Sequence, residues 1–144
     1  MIELRVKSIW KWLLICLVSC TADSVPDSVK RKFLEIEPSA YSIRWVNDGD
    51  IYKVYYKLKD KDKVTSYFDF DGNWMETETE IAVSELSEAV LQVLQVKFSE
   101  YEIVDIEIVN TSDGQVLYEV DLSKESKTYD ILFDTTGRIL RKKI

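Results

Sequence analysis

Two stretches 65 residues apart, Phe68-Asp69-x-x-Gly72 and Phe133-Asp134-x-x-Gly137, carry the same residues at the same spacing. The likeness runs well beyond them. Residues 24–33 repeat in pattern as residues 85–94 at an offset of 61, and Tyr52-x-Val54 returns as Tyr118-x-Val120 at an offset of 66. A chain made of two copies of one unit, differing by short loop insertions, has to fold as two equivalent halves.

Each copy opens on a helical stripe. Val25, Val29, Phe33 and Ile36 recur at helical spacing in the first, and Leu86, Val90, Leu94 and Phe98 in the second. Ser24 is placed to cap the first helix, with Asp27 at the acid position of a capping box and Pro26 in the first turn. Alternating segments then follow at 41–46, 51–59, 64–70 and 74–81, and again at 102–109, 116–122, 127–134 and 139–144. Turn-forming clusters such as Asp71-Gly72-Asn73 and Thr135-Thr136-Gly137 separate them. The expected fold is α+β: two tandem repeats, 25–81 and 82–144, each one helix plus a four-stranded antiparallel sheet, with both helices on one face of roughly eight strands.

Ahead of the first copy, Arg5, Lys7 and Lys11 precede an apolar run from Trp12 to Val18. Seven residues are far short of the roughly 20 that span a bilayer, so residues 1–19 read as a signal peptide. Leu17-Val18-Ser19-Cys20 resembles a bacterial lipobox, which implies cleavage before Cys20, lipid on its thiol and a tether over residues 20–24. Cys16 leaves with the signal, so no disulfide is expected. The remaining 125 residues carry −9 rather than −7, because the lost segment holds three basic residues and one acid. That charge argues against nucleic acid or an anionic lipid surface as a partner.

Histidine is absent, and the four glycines form no phosphate-binding pattern. Imidazole acid–base chemistry, Ser-His-Asp catalysis and histidine metal sites are therefore excluded, and no enzyme, metal or cofactor is expected. Asp60-x-Asp62 and Asp69-x-Asp71-Gly72 offer clustered oxygens of the kind calcium takes. The second copy keeps the corner but replaces the second aspartate, so the shared feature is a turn. Glu76, Glu78 and Glu80 alternate along one strand and read as a solvated, edge-protecting row. Arg138, Arg141, Lys142 and Lys143 could pair with such acids or with a partner.

Period-two counting puts Tyr52, Val54, Tyr56, Leu58 and Phe68 toward the helix, and Lys53, Tyr55, Lys57 and Tyr67 on the open face. In the second copy Glu119 and Asp121 point outward. The open face is thus aromatic and basic in one copy and acidic in the other. Lys53, Tyr55, Lys57 and Tyr67 are the candidate partner-binding residues.

The lipobox, the Val25-Pro26-x-x-Val29 helix start, the strand from Trp74 to Ile81 and the two Phe-Asp-x-x-Gly corners together resemble the PepSY-like, beta-lactamase-inhibitor-like lipoproteins of Bacteroidetes. The resemblance implies a concave sheet and carries no catalytic or ligand residues with it. Ser87 stands where many members of that family have proline. The expectation is a non-catalytic envelope lipoprotein, held to the membrane through Cys20, that binds or inhibits an envelope protein such as a peptidase or other hydrolase. The alternative is an envelope sensor of calcium or a small ligand.

Overall fold

The computed structural model describes residues 25–143. The signal segment 1–19, Cys20, the tether 20–24 and the Ser24 cap lie outside the described residues. Within them, α1 (Asp27–Ile36) leads into β1 (Tyr41–Asn47), β2 (Tyr52–Leu58), β3 (Lys61–Phe68) and β4 (Trp74–Glu80). A 3₁₀ turn at Val83–Glu85 precedes α2 (Glu88–Lys97), followed by β5 (Glu102–Thr111), β6 (Val116–Lys124), β7 (Lys127–Asp134) and β8 (Ile139–Lys143). The eight strands form one antiparallel sheet in the order β1 to β8. Every strand pairs with its neighbour in sequence, and β4 pairs with β5 across the copy boundary. No described helix is long and apolar enough to cross a membrane.

Cross-strand partners share a face of a sheet, so the register settles where the helices lie. Tyr56, Val64, Thr79, Ile108, Tyr118, Phe133 and Ile139 follow one another across seven strands. One end of that row packs in the core under α1 and the other in the core under α2. Both helices therefore cover the same face, as the sequence predicts.

The helical stripes hold with one exception. Val25, Val29 and Phe33, and Leu86, Val90, Leu94 and Phe98, are buried, whereas Ile36 closes α1 at 46% exposure. It occupies the last helical turn, and the chain leaves the core there. The cap of α1 is Pro26 itself, not a first-turn residue as expected, and it offers no side-chain bond; Asp27 is the first helical residue rather than the acid of a capping box. In α2 the equivalent position is Ser87, whose side chain accepts from the Val90 N–H at 3.2 Å. Both helices start three residues into their matched segments 24–33 and 85–94, at Asp27 and Glu88, so the offset of 61 is kept.

The repeated corners are built alike. Asp69 N–H donates to the Asn73 carbonyl and Gly72 N–H to Asp69; Asp134 N–H donates to Arg138 and Gly137 N–H to Asp134. Both glycines have positive φ, +76° and +82°, and both lie against their helix. A Cβ on Gly72 would stand 3.0 Å from the Val29 side chain; on Gly137 it would stand 2.8 Å from the Ala89 carbonyl oxygen. Glycine here permits both the turn and the close approach of corner to helix.

Candidate functional site

The face away from the helices is uncovered among the described residues. Alternation along the strands delivers its side chains, since each inward residue of β2 and β6 is flanked by an outward one. One hollow of about 280 Å³ on this face is lined from β2 (Lys53), β3 (Tyr67), β4 (Glu76, Glu78), β6 (Glu119) and β8 (Arg141). In a flat sheet β2 and β8 would be about 29 Å apart. The sheet therefore curls strongly, with this face concave and the helices on the convex side. A second hollow of about 320 Å³ lies toward β1 to β3 and includes Arg44, Tyr55 and Lys57.

All four candidate residues of the first copy reach this face, in two groups. Lys53 pairs in register with Tyr67 and its Nζ lies 5.8 Å from that ring. Tyr55 and Lys57 line the other hollow. Their polar groups are already engaged: Lys53 with Asp48 at 2.5 Å, Lys57 with Asp62 at 3.1 Å, and the Tyr67 hydroxyl donating to Glu78 at 2.5 Å. Arg44, which sequence reading did not single out, stacks on Tyr55 with its guanidinium 4.1 Å from the ring centre. Its place in register opposite Tyr55 is the signal, visible only once β1 is paired with β2.

The acids depart most from expectation. Glu78 is half-buried rather than solvated. Burial pushes its carboxyl up to about 7; Glu119 and Glu76 add to the rise, while the Tyr67 hydrogen bond and Arg141 oppose it. Glu107, on β5, is likewise pushed up to about 7, first by burial and then by Glu78, Asp105, Glu119 and Asp121. Glu119 is raised by burial and by Asp130, with Arg141 opposing. Burial raises the Tyr67 hydroxyl as well, reinforced by its bond to Glu78.

The basic tail divides between the two faces. Arg141 Nη2 donates to Glu119 at 2.8 Å and to Asp130 at 3.2 Å, and Lys143 lies 3.7 Å from Asp130. These are acids of the second copy, not the β4 row. Lys142 points to the helix side, 5.3 Å from the Tyr129 ring centre. Arg138 closes its own corner on Asp134 at 2.9 Å.

The acidic corners do not assemble a cation site. Both oxygens of Asp69 accept from Asn73, at 2.8 and 2.9 Å, and Asp62 serves Lys57. Triads of acids with ligand atoms within 4.8 Å of one another occur on the open face instead: Glu78 with Glu107 and Glu119, and Glu119 with Asp121 and Asp130.

A family described as putative beta-lactamase-inhibitor-like, PepSY-like, matches residues 50–141. A protein of Bacteroides eggerthii described as putative periplasmic is similar in fold, at 23% identity and a TM-score of 0.75 over 83% of this chain and 88% of that one. A DUF2874 family protein from Bacteroides uniformis matches at 21% identity and a TM-score of 0.76, over 83% and 89%. A BLIP-like protein from Bacteroides fragilis matches at 22% and 0.70, over 83% and 86%. No curated protein matches.

Proposed function

As this chain belongs to the beta-lactamase-inhibitor-like, PepSY-like family, we propose that it is a non-catalytic, lipid-anchored envelope protein whose concave sheet face docks a partner protein. The observation that carries the reading is the uncovered face itself, hollowed by curvature across β2 to β8 and furnished with Tyr55, Tyr67, Lys53, Lys57 and Arg44. Aromatic and arginine side chains supply most of the binding energy at protein interfaces. The name of the Bacteroides eggerthii relative supports an envelope location. A partner of the hydrolase or peptidase kind fits the inhibitor-like family name.

A photo-crosslinking residue at Tyr55 tests the face in living cells of the native host. Adducts are expected from position 55 and not from the exposed Leu34 on α1; equal labelling from both would rule the concave face out. Radioactive fatty acid is expected to mark the wild type and not Cys20→Ala. Label on both proteins would remove the anchor.

A further inference from the structure

The strands that join the two copies place like charges opposite one another. Glu80 on β4, Glu107 on β5 and Glu119 on β6 are direct cross-strand partners, an arrangement that costs stability when all are ionised. The outer two have cations: Lys63 lies 2.5 Å from Glu80 and Arg141 2.8 Å from Glu119. Glu107, half-buried between them, has no hydrogen bond or ion pair among the described residues. Its carboxylate meets those of Glu78 and Glu119, with ligand atoms all within 4.8 Å. Glu78 belongs to the first copy and the other two to the second, so the triad straddles the seam.

We propose that Glu78, Glu107 and Glu119 form a proton-operated latch across the β4–β5 seam: a proton held in the triad keeps the two copies firmly joined, and its loss loosens them. No cation pairs directly with Glu107 among the described residues; Lys63 attracts it but is held by Glu80. Around the triad stand Lys63 and Tyr67 on β3, Glu76 and Glu80 on β4, Asp105 on β5, Asp121 on β6, Asp130 on β7, and Arg141 and Lys143 on β8. Across the hollows stand Arg44, Tyr55, Lys57 and Lys53. Lys53, Lys57, Lys63, Arg141 and Lys143 each serve another acid, and Arg44 lies on Tyr55. A proton is the remaining counter-charge.

The elevated carboxyls of Glu78 and Glu107, about 7 against an ordinary 4.5, agree. Because the folded chain binds protons that the unfolded chain has released, stability is greatest at the acid end of this window. It falls as pH rises from about 4.5 to about 7, and levels off above. The three groups titrate as a unit, in steps that belong to the triad. The latch needs no partner and is independent of the docking reading.

Thermal melting of the full chain between pH 5 and pH 8 tests it. The wild-type Tm is expected to fall by about 5 °C, and Glu107→Gln, which keeps the shape without the charge, to lose most of that fall and melt higher than wild type at pH 8. Amide exchange, corrected for its intrinsic pH dependence, is expected to lose protection from pH 6 to pH 8 along β4–β5 more than along β2–β3. A flat or rising wild-type Tm, or equal loss in both strand pairs, would overturn the latch. Carboxyl carbon NMR of the wild type decides if the variant fails to fold: a Glu107 midpoint near 4.5 sinks the proposal, and one near 7 supports it.

Discussion

The two copies share a backbone plan and fill it differently. Under α1 the core is aromatic: Phe33 meets Trp45, Tyr56 and Phe68 edge-on, with ring centres 5.5, 4.9 and 6.3 Å away. Tyr56 brings a hydroxyl inside, where Ser66 at 3.1 Å and then Thr77 at 2.6 Å satisfy it. Under α2 the positions matching Phe33, Tyr56 and Ser66 are Leu94, Leu122 and Ile131, Phe133 repeats Phe68, and the core is mostly aliphatic. The difference shows that the repeat conserves which positions are inward, while the chemistry of filling is free. A buried hydroxyl is admissible in the first copy because a closed chain of partners comes with it.

Core truncation should separate the copies most strongly. Phe33→Ala is expected to cost about 4 kcal/mol and Leu94→Ala about 3 kcal/mol, read by urea denaturation. If the order is reversed, the aromatic cluster is not the better-packed half. The corner glycines come next. Gly137→Ala is expected to cost about 3 kcal/mol and Gly72→Ala about half that. Both put Ala at positive φ, but only Gly137 abuts a helix backbone, whereas the Val29 side chain beside Gly72 can turn aside. Equal losses would mean that backbone strain, not the clash, sets the cost.

The helix starts differ by a cap. Ser87→Ala is expected to cost about 1 kcal/mol, while Pro26→Ala removes no side-chain bond and should cost less in the same assay. The smallest effect lies in the second hairpin of each copy. Both have two-residue turns, yet Glu125 and Ser126 carry positive φ of 52° and 63°, whereas neither Lys59 nor Asp60 does. The first copy takes up the mismatch as an irregularity between Tyr56 and Leu58. Ser126→Gly is therefore expected to raise stability by about 0.5–1 kcal/mol, and Asp60→Gly to raise nothing. A gain at both would show that unfolded-chain effects dominate.

Much of this was legible in the residues. Apolar spacing placed both helices, alternation placed all eight strands within a few residues, and the Tyr52 and Tyr118 rows assigned the faces correctly. Ser87 stands where the resembled family often has proline, and its side chain caps α2; a serine can do at the N-cap what proline cannot. The errors fall where a residue's surroundings come from another element. Ile36 fits the stripe but lies at the helix end, beyond the reach of the sheet. Lys142 shares a basic run with Arg141 and Lys143 but alternates to the opposite face. Glu78 looked solvated because its own strand says nothing about Tyr67 or Glu107.

The repeat, the helix-facing positions, the absence of imidazole chemistry and the charge of each copy's outer face all follow from the order of residues. They depend on local periodicity and composition, which a sequence displays directly. The carboxylate triad and the curvature that hollows the open face do not. Glu107 meets Glu80 because β4 pairs with β5 across a connection that contains a whole helix, so no hairpin turn sets that register. Docking of two separate cores onto one sheet sets it, and only the folded chain decides which charges are brought together.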